Sequence, residues 1–367
     1  MSIIHSDSAF NLPPAHRRRG EEGISAEGSD LASRMATRSP LCQLMGVQIV
    51  ATGAYAPPIV VTNEDLAPLG FDSDWIVQRT GIRARRRAPA DWATSDVAFQ
   101  AAKGCLEQAG VAASEVDLII VATMTPDSQT PSTACRLQQM LGCKGPAMDL
   151  NAACAGFLYG LVTGMQFLKS GCCQCVLVVG VDLMSRTVNP EDKKTFPLFG
   201  DGGGAVLLRP GESQQGLLAY TLGADGNGGD ILQVPAGGTR EALTPEGLAA
   251  GRQFLHMDGK AVFKWAVRLL GDAIRDVLRH ANLTLNDIDH FVVHQANRRI
   301  IDAAVQNLGV PESKVIVNLD RYGNTSAGSI PLGLDELHRS GRIRRGDLLL
   351  FCGFGAGLAW GAAVLEW

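Results

Sequence analysis

From Val47 onward, apolar residues fall into two arrangements. Short runs such as Val116–Thr123 (VDLIIVAT) and Val176–Gly180 (VLVVG) are apolar at almost every position, as strands covered on both faces are. Longer stretches at helical spacing lie between them. Ser95 to Gly110 reads as a helix with Ser95 as N-cap and Gly110 as its stop. Gln48–Ala51 reads as a strand ending at Gly53, and Ala147–Leu150 as a further short strand. Cys154–Ser170 reads as a helix apolar on every side, which belongs inside a fold rather than on its surface. Phe199–Leu208 reads as a glycine-rich tight turn leading into a strand. Strands alternating with helices predict the α/β class.

The pattern also repeats. LEQAGVAASEVDLIIVAT (106–123) resembles LRHANLTLNDIDHFVVHQ (278–295), an offset of 172. Val176–Val179 and Leu348–Phe351 share that offset, and Leu141-Gly142 lies 167 residues before Leu308-Gly309. Anchors in one order at nearly one spacing predict a duplicated unit. Residues 45–217 form the first half and 218–367 the second, with two sheets enclosing a buried pair of helices. Residues 1–44 show no sustained period; they carry Arg17-Arg18-Arg19, Pro13-Pro14 and several acidic residues, and read as a poorly ordered extension.

Composition narrows the function. With 46% hydrophobic and 19% charged residues the chain can build a large core. A net charge of −4 gives no support to nucleic-acid binding. Nine cysteines, an odd number scattered in apolar contexts, read as reduced thiols of a cytoplasmic protein. Cys172 and Cys175 have C-x-x-C spacing but lack a second ligand pair, so no metal is expected. No apolar run is long enough to span a membrane. Gly200–Ala205 looks like a dinucleotide fingerprint, yet a strand follows it instead of a helix. The chain has no G-x-S-x-G, H-E-x-x-H or P-loop pattern.

Three residues stand where chemistry is expected. Cys154, in DLNAACAGF, is placed between a strand and a helix N-terminus and is surrounded by small residues; free amides there favour a thiolate. His294 ends a buried strand. Asn324, in YGNTSAGS, lies 170 residues after Cys154 and so takes the corresponding place in the second half. Duplication would bring all three to one central site.

These stretches, with DSDWIVQRTGIRARRRA, FGDGGGAVLL, HQANRRI, RYGNTSAGSIPLGL and GFGAGLAWG, resemble the β-ketoacyl-acyl carrier protein synthase III family of the thiolase-like superfamily, from about Val47 to Trp367. The resemblance implies a five-layered α-β-α-β-α sandwich and a catalytic set of Cys154, His294 and Asn324. It implies an oxyanion hole of the Cys154 and Ala356 amides, and condensation of an acyl-CoA primer with malonyl-acyl carrier protein (ACP) without a cofactor. Trp75, Arg79, Lys193, Phe263 and Asn297 match coenzyme A (CoA) positions, although some relatives have Arg where Lys193 stands. Lys264, Gln295, Ala296, Asn297, Arg298 and Arg299 match the ACP-docking stretch. Thr130 stands where acetyl-preferring relatives often have Phe, lining the acyl pocket of the partner subunit. This implies a homodimer and room for a longer or branched primer. Arg85-Arg86-Arg87 reads as an exposed basic run that could aid anionic substrates. Two alternatives stay open: a starter-unit synthase or acyltransferase of secondary metabolism, and a non-catalytic ACP-binding subunit.

Overall fold

The computed structural model describes residues 39–367; the Arg17–Arg19 segment and most of the expected extension lie outside these. Two five-stranded sheets organise the chain. The first has the order β2-β8-β7-β5-β6 and the second β1-β9-β14-β13-β12. The strands of the first are β2 (Val47–Tyr55), β5 (Leu118–Ala122), β6 (Ala147–Leu150), β7 (Val176–Leu183) and β8 (Asp201–Pro210). Those of the second are β1 (Leu41–Met45), β9 (Gly216–Ala224), β12 (His290–Val293), β13 (Leu348–Gly355) and β14 (Ala359–Glu366). Two two-stranded antiparallel sheets complete the strands: β3 (Ile59–Thr62) with β4 (Ala84–Arg87), and β10 (Leu232–Gln233) with β11 (His256–Met257).

The duplication is visible in the strand order. β5, β7 and β8 are repeated by β12, β13 and β14, with a parallel pair followed by an antiparallel one in each case. β1 is an addition on the outer edge of β9. This alters the expected boundaries in two ways. Residues 41–44, assigned to the extension, form a strand, because the edge of β9 offers their backbone a ladder. The break expected after residue 217 falls inside β9, all of which pairs in the second sheet.

Helices form the remaining layers: α1 (Ser73–Thr80), α2 (Thr94–Ala109), α3 (Thr133–Leu141), α4 (Gly156–Lys169), α5 (Pro245–Ala249), α6 (Gly259–His280), α7 (Arg298–Leu308), α8 (Leu319–Tyr322) and α9 (Ser329–Arg339). The N-cap of α2 is Ala93, two residues before the expected Ser95, and the helix stops at Gly110 as expected. α4 and α9 lie between the sheets, and α4 packs against strands of both. Phe157, Leu158, Leu161 and Met165 of α4 join Val178 and Val206 from one sheet to Phe351 and Leu349 from the other in one apolar core. The five-layered α-β-α-β-α arrangement is thus built from the apolar faces the chain carries. α2 covers the outer face of the first sheet and α6 that of the second.

Two sequence expectations are corrected. The glycines of 202–204 are not a tight turn but lie at the start of β8, where β7 pairs all three and β2 pairs Gly203 and Gly204. They are needed for close approach: a Cβ on Gly204 would lie 2.7 Å from the Pro331 carbonyl carbon at the start of α9. The basic run is not a solvated face either. Arg85 is fully buried, donating to the carbonyls of Val61 and Pro197 and to Asn63 Oδ1. Burial, followed by the neighbouring Arg87 charge, lowers its pKa to about 10. Arg86 and Arg87 are half-buried, and Arg87 stacks over Phe196.

Candidate active site

Each half carries one sharp turn facing the centre. After β6, Asn151 Oδ1 accepts the Ala153 amide at 3.0 Å; Ala153 has φ 46°, and a single 3-10 turn over Ala153–Ala155 runs into α4. In the second half, Asn324 Oδ1 accepts the Ser326 amide at 2.9 Å; Ser326 has φ 50°, and the turn Ser326–Gly328 runs into α9. The true counterpart of Asn324 is therefore Asn151, 173 residues earlier, and Cys154 corresponds to Ala327. The expected correspondence of Asn324 with Cys154 was off by three residues, because the sequence anchors fix the offset only to within a few residues, whereas the two matching turns fix it at 173.

Cys154, His294 and Asn324 all line one cavity of about 970 Å³, together with Ala356. All three are buried. With Oδ1 engaged by Ser326, the Asn324 amide nitrogen keeps its hydrogens and has no acceptor among the described residues. The Asn324 backbone is itself held, accepting from the Gly200 amide and donating to the Leu198 carbonyl. His294 directly follows β12, its Nδ1 lies 2.7 Å from Ser329 Oγ, and Phe354 packs edge-on against the ring. Burial lowers the His294 pKa to about 3, so the imidazole is neutral.

The helix N-terminus does not make Cys154 a free thiolate, as its sequence context suggested. Burial pushes the thiol up to about 12, outweighing the Ser326 hydroxyl and the Cys154 amide, which act in the other direction. The resting pair is a thiol and a neutral imidazole. The Cys154 amide has no protein acceptor among the described residues. It is left open because position 355 is glycine: a Cβ there would lie 2.6 Å from that nitrogen.

The proposed CoA residues separate. Trp75, Arg79, Phe263 and Asn297 line the cavity, with Trp75 exposed at 42%. Asn297 caps α7 through Arg299 N and donates to the Arg79 carbonyl, tying α7 to α1. Lys193 does not line the cavity; its Nζ is directed toward Gly70, while the neighbouring Lys194 does line it. Among docking residues, Lys264 and Arg299 are exposed, and Arg298 is half-buried in ion pairs with Asp302 and Glu312. Gln295 is not available for docking. It is 2% exposed; its Nε2 donates to the Val293 and Ile316 carbonyls, and its Oε1 accepts from Asn318 N. Ala296 lines the cavity instead of facing outward, and Thr130 is exposed, away from the cavity of its own chain.

A protein from Rhodopirellula baltica, a β-ketoacyl-[acyl-carrier-protein] synthase III, is 56% identical over 342 residues, covering 88% of this chain and 99% of that protein. The chain belongs to the β-ketoacyl-ACP synthase III family. Residues 148–226 match the family model described as 3-oxoacyl-[acyl-carrier-protein] synthase III, and residues 278–367 match its C-terminal model. The synthase III crystal structure from Aquifex aeolicus is similar at 40% identity and a TM-score of 0.81, covering 88% of this chain and 100% of its own. The priming β-ketosynthase of the R1128 polyketide pathway is similar at 36% identity and a TM-score of 0.80, with 90% and 98% covered.

Several residues of this site were missed from sequence. Asp182 had a signal, as the single acid in the apolar run VLVVGVDL. It is fully buried and accepts from Thr123, Met124, Thr125 and the Ala327 amide. Ser326 and Ser329 had none: small polar residues in a glycine-rich loop read as caps. The Ser326 hydroxyl is buried without a hydrogen-bond partner of good geometry, yet it lowers the pKa of both Cys154 and Asp182.

Proposed function

We propose that this chain is the enzyme that initiates fatty-acid synthesis, an acyltransferase joining an acyl-CoA primer to malonyl-ACP through an acyl-Cys154 intermediate. The observation that carries this is the convergence of a thiol at an open amide, a neutral imidazole and an oriented carboxamide on one large cavity. Cys154 Sγ attacks the primer thioester, the C–S bond to CoA breaks, and the thiol proton ends on the departing CoA. The tetrahedral oxyanion is held by the amides of Cys154 and Ala356. Malonyl-ACP then enters. Its carboxylate leaves as CO2, and the electron pair moves onto the thioester as an enolate. His294 Nε2 and the Asn324 amide nitrogen donate to that oxygen. Neutrality suits His294 for this role, because a donor is needed and not a transferable proton. The enolate carbon attacks the acyl carbonyl, the new C–C bond forms, and the C–S bond to Cys154 breaks; the sulfur leaves as a thiolate and takes a proton from solvent to restore the resting thiol. The reaction calls for no metal or redox cofactor.

Trp75 and Arg79 at the cavity mouth suit the adenine and phosphates of CoA. We place the docking of acidic ACP on Lys264 and Arg299. We assign the chain to the cytoplasm, where CoA and ACP are found; no helix among the described residues is long and apolar enough to cross a membrane. The exposed Thr130 suits a homodimer in which it reaches the acyl pocket of the partner subunit, leaving space for longer or branched primers. The similarity to the R1128 priming ketosynthase supports a second reading, starter-unit synthesis in secondary metabolism. Intact-protein mass spectrometry after incubation with acetyl-, isobutyryl- and octanoyl-CoA tests the first step. One primer should shift the wild-type mass and leave Cys154→Ala unshifted. No shift with any primer would refute loading from CoA, and preference for a primer foreign to fatty-acid synthesis would favour the second reading.

A further inference from the structure

Ser329 opens α9 and is 2% exposed. Its Oγ has two neighbours: His294 Nδ1 at 2.7 Å and the Gln295 amide at 3.5 Å. The Gln295 amide can only donate, so it occupies an Oγ lone pair. Its position is held by its own side chain, whose Nε2 and Oε1 are tied to Val293, Ile316 and Asn318. The serine proton therefore needs an acceptor. Ser329 Oγ makes no hydrogen bond to a carbonyl or carboxylate among the described residues, which leaves His294 Nδ1. The opposite arrangement, Nδ1–H donating to Ser329, would leave a buried hydroxyl proton unpaired.

We infer that Ser329 is a positioning residue: its hydroxyl donates to His294 Nδ1 and so holds the ring in the tautomer that carries its proton on Nε2. The hydrogen bond at one imidazole nitrogen sets what the other can do. One short segment thus prepares both donors of the site. The Ser326 amide takes Asn324 Oδ1 and frees the amide nitrogen, and Ser329 takes His294 Nδ1 and leaves Nε2–H. The consequence for catalysis rests on the function proposed above, whereas the tautomer itself does not.

The test uses the full-length chain labelled with 15N-histidine at neutral pH, with the His294 signals identified by their absence in His294→Asn. Expected is a protonated Nε2 and an unprotonated Nδ1. A protonated Nδ1 in the wild type overturns the proposal whatever the enzyme's activity. In Ser329→Ala the His294 signals should move toward a mixture of tautomers. Its kcat for condensation should fall about ten-fold or more relative to its rate of Cys154 acylation, with KM for malonyl-ACP changed less than about two-fold. Ser329→Thr, which keeps the hydroxyl, should restore the wild-type signals. A Ser329→Ala enzyme with unmixed signals and wild-type condensation would overturn the role. If no acyl-CoA loads the wild type, the proposed function fails while the tautomer remains decided by the spectrum.

Discussion

The turns at Asn151–Gly156 and Asn324–Ser329 are nearly the same piece of backbone. Each has an asparagine bonded two residues ahead, a left-handed residue and a 3-10 turn feeding a central helix. Only their surroundings differ. In the first, the Cys154 amide faces Gly355 and stays open. In the second, the matching Ala327 amide is capped by Asp182 at 3.1 Å. The asparagines differ in the reverse sense: Asn151 is exposed, while Asn324 is buried at the cavity. The two turns are equivalent, and the residues facing them left one with an open amide and the other with its asparagine at the cavity.

The sharpest way to break this comparison is to close the open amide. In Gly355→Ala the new Cβ meets Cys154 N, and the rate of Cys154 acylation should drop about 10²–10³-fold, as for loss of an oxyanion donor. Stopped-flow release of CoA measures it; a drop below ten-fold would show that the Cys154 amide is not the donor. Next, the two asparagines should part company. Asn324→Ala should lower the ratio of condensation to acylation about 10²-fold. Asn151→Ala should mainly lower stability, by about 1 kcal/mol, through loss of one hydrogen bond. Equal kinetic effects in a coupled condensation assay would erase the distinction.

Asp182 tests the capped side. Asp182→Ala should lower stability by about 3 kcal/mol in chemical denaturation, since it leaves several buried donors without an acceptor. An effect as small as that of Asn151→Ala comes from the titration of His294. Its folded pKa of about 3 lies below the ordinary 6.5, so the unfolded chain binds a proton first as pH falls. The stabilisation is complete above about pH 6.5 and is lost progressively on acidification toward the folded value. Between pH 6.5 and 5.5 this single group should remove about 1 kcal/mol of stability. The corresponding slope should flatten in His294→Asn; an unchanged slope would place the titration elsewhere.

Much of this was legible in the chain. The apolar runs at 116–123, 176–180 and 348–351 fell in the central strands 118–122, 176–183 and 348–355, and the all-round apolar stretch after Cys154 became a helix between two sheets. Burial on both faces imposes those patterns, so they can be read without knowing what does the burying. Cys154, His294 and Asn324 were legible as candidates because each stands at or beside a junction between elements, and all three line one cavity. The glycines of β8 and the arginine of β4 misled because their meaning lies in partners far along the chain. Gly204 is required by Pro331, and Arg85 is accommodated by Val61, Asn63 and Pro197. The same holds for Gln295, a docking candidate by position that is consumed by two carbonyls and an amide.

Local order therefore settled the class of fold, the repeat and the candidate nucleophile, because hydrophobic period and turn chemistry act between near neighbours. Only the assembled layers decided which amide stayed open, which asparagine faced the cavity and which serine met the histidine ring. Those outcomes depend on contacts such as Gly355 with Cys154 and Ser329 with His294. The partners lie 201 and 35 residues apart, a separation at which no local pattern carries information about its counterpart.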